Sequence, residues 1–170
     1  MTCKNTLKTC ALPLTLAAGI LAPLASVQAV QPGVYMGVGT GSAHDVILDE
    51  DESAFKFHGG VNLTHNIGLE IAYVDLGSYL NDSLNQDGIS YEVIGYLPLS
   101  PQLDLYGRAG FFDWEVSDSF GYSTGTDPTF GIGLQAQLQH HLSLRGEYQT
   151  FLDVAGGDVD LYSASINLHF

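Results

Sequence analysis

Basic residues are scarce in this chain: 5 Lys and Arg stand against 19 Asp and Glu, a formal charge of −14 over 170 residues. That excludes a nucleic-acid binder working through a basic surface. Cysteine is nearly absent, and both copies, Cys3 and Cys10, fall within the first ten residues. No disulfide framework or thiolate metal cluster can therefore organise residues 11 to 170. Charged residues of either sign make up only 14%, too few for the surface of an ordinary soluble helical domain. Beyond residue 29 no run approaches the ~18 apolar residues of a membrane helix, and no 3.6-residue apolar stripe is present. What the chain does have is glycine, 20 residues, and aromatic rings, 11%. That mixture suits a β protein.

The first 29 residues stand apart. Lys4 and Lys8 precede an apolar run from Ala11 to Ala25, and Val27-Gln28-Ala29 closes the stretch with small residues suited to signal peptidase. Residues 1–29 are expected to be a cleaved signal peptide and 30–170 the mature domain. A membrane helix is disfavoured because the run is short and contains Pro13 and Pro23. A lipoprotein is disfavoured because Leu7-Lys8-Thr9 precedes Cys10 and the apolar run follows it. Loss of Lys4 and Lys8 takes the expected mature charge to −16.

The remainder alternates with period two. Phe55, Phe57, Gly59, Val61 and Leu63 interleave with Lys56, His58, Gly60 and Asn62, and Ile67, Leu69, Ile71 and Tyr73 with Gly68, Glu70 and Ala72. Phe130 to Leu138 and Leu142 to Tyr148 read the same way. Each is a strand with one apolar face. With Val34 to Gly41, Ile89 to Leu97, Leu103 to Phe111 and Asp160 to Phe170 there are eight strands in antiparallel succession. Joins at 42–52, 76–88, 112–127 and 152–159 read as long, and those near Thr64, Leu99 and His140 as short. Alternating long and short joins predict an all-β, eight-stranded, antiparallel up-and-down transmembrane β-barrel. Pro32, Pro98, Pro101 and Pro128 fall at the predicted strand ends, where no ladder donor is lost.

A secreted soluble barrel carrier would alternate too, but its polar face would carry Lys, Glu and Thr. Here that face is mostly Gly, Ser, Asn and Gln, suited to a narrow interior filled by side chains. The last strand, Tyr162, Ala164, Ile166, Leu168 and Phe170 at two-residue steps, resembles the terminal recognition strand that outer-membrane barrels present to the assembly machinery.

Three stretches carry a wider resemblance: FHGGVNLTHNIGLEIAYVDLG at Phe57 to Gly77, GYLPLSPQLDLYGRAGFFDW at Gly95 to Trp114, and FGIGLQAQLQHHLSLRGEYQ at Phe130 to Gln149. They resemble the membrane domain of the OmpA-like and OmpX-like small barrels over most of residues 33 to 170. The resemblance implies a packed polar lumen and a role in envelope integrity or surface contact, in the outer membrane of a Gram-negative cell. The short turns and N-terminus would be periplasmic and the long loops extracellular. A peptidoglycan-binding domain of the OmpA type is not expected, so the resemblance does not extend to cell-wall tethering. Ile89, Tyr91 and Val93 set one facing for the fourth strand, and alignment of Gly95-Tyr96 with the family gives the opposite one.

After processing, the only basic residues are Lys56, Arg108 and Arg145, all on the polar parity of their strands together with Glu70 and Glu147. Buried charges require partners, so a lumen network of Lys56, Glu70, Arg108, Arg145 and Glu147 is expected, helped by Gln135 and His58, with Glu92 as a further candidate. Pairing about the short turns sets His58 opposite Glu70 and Gln135 opposite Arg145. The resemblance implies an ionic plug, with Glu70 and Arg145 matching its positions best. Eight strands leave little room for a conducting path, so a narrow pore is the weaker alternative.

Fourteen of the 19 acidic residues fall in the long joins and their borders, with no Lys or Arg among them. Solubility and repulsion of neighbours account for them. Asp49, Glu50, Asp51 and Glu52 lack the glycine and spacing of a calcium loop, so any cation contact there would be weak and delocalised. Phe55, Tyr73, Tyr91, Phe111, Phe130, Tyr148 and Tyr162, one ring from each of seven strands, suit an interfacial girdle. A lipid A-modifying enzyme would need a nucleophile and base. His141, Ser143 and Glu147 superficially supply them, but at a short-turn end, away from an outer-leaflet substrate. The expectation is a non-enzymatic monomer with no cofactor and no nucleic-acid partner. Its contacts would be outer-membrane lipid and lipopolysaccharide, the barrel assembly machinery and periplasmic chaperones.

Overall fold

The computed structural model describes residues 30–46, 50–79, 84–118, 121–154 and 156–170. Eight strands follow one another: β1 (Gly33–Asp45), β2 (Glu50–Asn62), β3 (Ile67–Tyr79), β4 (Leu84–Ser100), β5 (Leu103–Asp118), β6 (Gly121–Gln139), β7 (Leu142–Val154) and β8 (Gly157–His169). Each pairs antiparallel with the next, and β8 pairs with β1, closing the barrel. Closure leaves no edge with unpaired backbone groups, which is what allows strands to cross a bilayer. Both described termini lie at the end that carries the tight turns at 63–66, 101–102 and 140–141. In the first of these turns Thr64 Oγ1 accepts from the amides of Asn66 and Ile67, at 3.2 and 3.0 Å.

The expected apolar faces all point outward. Val38, Phe57, Ile71, Val93, Ile132 and Ile166 are each about half exposed. The ring residues Phe55, Tyr73, Tyr91, Phe111, Phe130 and Tyr162 also face out. In β4, Ile89, Tyr91 and Val93 are exposed while Ser90, Glu92, Ile94 and Tyr96 are buried, so the facing read from the apolar residues holds and the reversed one does not.

The strands run well past the predicted ends, and this corrects the long joins. Most of 42–52, 76–88, 112–127 and 152–159 is ladder: Ala43 pairs with Glu52, Asp87 with Glu115 and Trp114 with Gly125. The reason is a change of phase. Up to the aromatic girdle, apolar side chains point out and polar ones in. Beyond it Asp113 and Glu115 point out, while Ala43, Ala54, Val74, Leu76, Phe112, Phe151, Val159 and Leu161 form a buried apolar cluster inside. Outside the hydrocarbon layer the outer wall meets water, so the apolar residues turn inward. The interior is thus polar over part of its length, the packed polar lumen that the resemblance implied giving way to an apolar cluster at the far end.

Two glycines carry the local bends at this far end. Gly77 (φ 93°) sits in the register shift between Asp75 and Ser78, and Gly156 (φ 90°) lies between β7 and β8. Both occupy the left-handed region where a side chain is disfavoured. Pro128 also departs from expectation, lying inside β6 opposite Phe111. The β6–β7 ladder begins only at Thr129. Pro128 therefore stands where β6 has one neighbour, an edge position that tolerates a missing donor.

Candidate functional site

The middle of the lumen is an ionic layer. Arg108, from β5, donates to three carboxylates: Glu147 at 2.6 Å through Nη1, and Glu70 and Glu92 through Nη2. Arg145, from β7, donates to Glu70 at 2.6 Å, to the Tyr96 hydroxyl at 2.7 Å and to Gln135 at 2.7 Å. Lys56 reaches Glu147 at 2.7 Å and Gln149 at 2.9 Å. These ionised side chains are at most 4% exposed. The five expected members Lys56, Glu70, Arg108, Arg145 and Glu147 are therefore brought together, with Gln135 opposite Arg145 as the register required. Glu92 joins them.

His58 does not join as expected. The β2–β3 register sets Gly60 opposite Glu70 and Ala72 opposite His58, because the four-residue turn at 63–66 moves the pairing by two positions. His58 instead meets Asn167 at 2.5 Å, across β1. Gly37 lies between them, and a Cβ there would collide with both side chains. The chain continues from Asn167 to Ser143 at 3.4 Å and from Ser143 to His169 at 2.8 Å.

Residue-by-residue reading missed the aromatic sleeve of the network. Tyr35 and Tyr106 donate to Glu70 and Glu147, each at 2.7 Å. The Arg145 guanidinium lies over the rings of Tyr35, Tyr106 and Tyr96, at 4.8, 5.3 and 6.0 Å from their centroids, close enough for cation–π attraction. Gln149, which donates to Glu92 at 2.5 Å and Thr129 at 2.8 Å, was missed as well. Strand parity could have found all four, since each sits on the inward parity. The rings fit because Gly60 and Gly133 face the Tyr35 and Tyr106 hydroxyls, where a Cβ would approach within 2.5 and 2.6 Å.

The remaining candidates separate. Ser143 and Glu147 both point inward on β7, four residues or about 13 Å apart. Ser143 bonds His169, and His141 bonds the His169 carbonyl at 3.0 Å, so His141, Ser143 and Glu147 form no triad. Asp49 lies outside the described residues; Glu50, Asp51 and Glu52 begin β2. Among the described residues no group of three or more His, Cys, Asp or Glu could hold a metal ion. In β8, Tyr162, Ala164, Ile166 and Leu168 face outward. Phe170 is 71% exposed, with its amide bonded to the Val34 carbonyl at 2.9 Å.

A closed eight-strand barrel with an apolar outer band and a charged centre fits a family model, the outer membrane protein beta-barrel domain, matched over residues 11–170. The chain belongs to this family. Its fold is similar to that of the N-terminal barrel domain of Pseudomonas aeruginosa OprF (TM-score 0.64, 16% identity, 82% of this chain and 100% of that one). Neisserial surface protein A is similar at TM-score 0.62 and 13% identity, over 81% of this chain and 96% of that one. The Yersinia pestis attachment invasion locus protein, Ail, gives 0.56 and 14%, over 82% and 100%. No curated protein matches the sequence. The fold is that of an outer-membrane β-barrel.

Proposed function

We propose that this barrel is a non-catalytic structural component of the Gram-negative outer membrane whose lumen is plugged. The observation that carries the reading is the Arg108 centre. One guanidinium bridges carboxylates from β3, β4 and β7, tying non-adjacent walls across the interior. A water-filled path would pass through that centre only by breaking pairs in a low-dielectric site, which is costly. The apolar cluster at the far end adds a second, uncharged barrier. Glu147 is committed to Lys56, Arg108 and Tyr106, which leaves it unsuited to orienting a catalytic base.

In this reading the tight turns and termini are periplasmic and the acidic far end is extracellular, available for surface contact. The girdle meets membrane lipid and lipopolysaccharide, and Tyr162 to Phe170 is the strand read during assembly. Planar-bilayer recording tests the plug. The unmodified protein should give no stable unitary conductance, and removal of the Arg108 and Phe112 side chains together, one from each barrier, should produce one. Steady channels from the unmodified protein would overturn the reading.

A further inference from the structure

One buried carboxylate has no place in the ionic layer. Asp104, near the start of β5 at the turn end, is fully buried and stands opposite Gln135, yet neither of its oxygens has a hydrogen-bond partner. Among the described residues Lys56, Arg108 and Arg145 are the buried cations, and their ion pairs are all with Glu70, Glu92 and Glu147. Four buried carboxylates thus share three cations, and an uncompensated buried charge is unfavourable.

Val30 lies beside it. It is 1% exposed and clusters with Ile94, Tyr96 and Tyr106. Tyr106 of that cluster stands two residues from Asp104 on the same inward face of β5, and the backbone N–H of Val30 faces the Asp104 carboxylate without completing a regular hydrogen bond. A peptide nitrogen offers one donor and no charge. If the chain is cut after Ala29, that same nitrogen becomes an ammonium with three donors and a positive charge.

We propose that the α-ammonium of Val30, created by removal of residues 1–29, is the counter-ion of Asp104 and locks the start of the mature chain into the mouth of the barrel. The proposal rests on the signal-peptide reading and on no property of the plug. Leader removal would then complete the interior electrostatically, balancing four carboxylates with four cations. Gln135 is the rival partner, since its Nε2 is also unpaired; an amide can donate a hydrogen bond but cannot neutralise the charge.

Amine reactivity tests this directly, because Val30 and Lys56 would carry the only amines of the processed chain. The full precursor is expressed and exported, and the processed protein is extracted from the membrane in detergent. It is treated with a water-soluble acylating reagent, either folded or heat-unfolded, and modification at Val30 is followed by mass spectrometry. Labelling at Val30 should be at least tenfold slower in the folded protein, and Asp104→Asn should accelerate it at least tenfold. An N-terminus other than Val30, or equal rates folded and unfolded, overturns the proposal. Protection that Asp104→Asn leaves unchanged overturns it too, since burial or Gln135 would then suffice. If Asp104→Asn does not assemble, Asp104→Ser gives the same comparison. The rates of the unmodified protein stand in either case, and channel recording reports separately on the plug.

Discussion

Replacement of Arg108 by Met keeps most of the side-chain volume and removes the charge that three carboxylates share. Lys56 would still reach Glu147, and Arg145 would still reach Glu70. Glu92 would be left with Gln149 alone, a neutral partner. Breaking a buried pair by removing one member costs about 3 to 5 kcal/mol, because the other charge stays buried. Arg108→Met should therefore lower unfolding free energy by at least about 3 kcal/mol. The double variant with Glu92→Gln removes the stranded charge while keeping an acceptor for Gln149, and should recover about 1.5 kcal/mol or more, within the usual range of coupling energies. Urea unfolding in lipid vesicles, followed by the fluorescence of Trp114, the single tryptophan, measures both. A loss under about 1 kcal/mol in the single variant would mean that water serves these carboxylates and that the layer is not dry. Equal stability of single and double variants would refute charge imbalance as the cause.

Three further outcomes are expected. Gly60→Ala places a Cβ 2.5 Å from both the Leu69 carbonyl and the Tyr35 hydroxyl, so it should destabilise by about 1 to 3 kcal/mol in thermal unfolding, whereas Gly95→Ala, which meets nothing within 4 Å, should not. Phe112→Ala removes one of two rings in contact at 4.6 Å in the far-end cluster and should cost about 3 to 5 kcal/mol, with limited proteolysis cutting the far end first. Phe170→Ser should slow the appearance of the heat-modifiable folded form in pulse-labelled cells, while the thermal midpoint of protein already folded stays close to that of the parent.

The membrane-spanning part was legible because one rule, apolar out and small or polar in, holds from Val34 to Gly39 and from Ile67 to Tyr73 without interruption. The far end was not, because Val74, Leu76 and Phe112 continue the alternation with the faces exchanged. A reading that requires one face to stay apolar stops at Tyr73 and Phe111 and assigns the rest to loops. Membership of the ionic layer followed from parity and the shortage of mature cations. Its partners did not follow: whether His58 meets Glu70 or Asn167 depends on a two-residue shift in pairing, set by a four-residue turn that alternation alone does not resolve. The tyrosine sleeve depends on Gly60 and Gly133, positions whose role is to leave space.

The exchange of faces at the girdle also fixes how deeply the molecule floats. Strands rise about 3.3 Å per residue and lean at about 45°, so sinking by one alternation step means a descent of roughly 5 Å. That step would draw Asp75, Asp87, Asp113 and Asp160 below the waterline. The opposite step would lift Phe55, Tyr91 and Phe130 out of the oil. Tyr73 and Tyr148 mark the line itself, each ring lying on the lipid side while its hydroxyl donates to a carboxylate above, Asp87 at 3.2 Å and Asp160 at 2.9 Å. Penalties rise in both directions from a single draught, so a bilayer of different thickness must thin or swell around this barrel, because the barrel cannot slide to suit the bilayer.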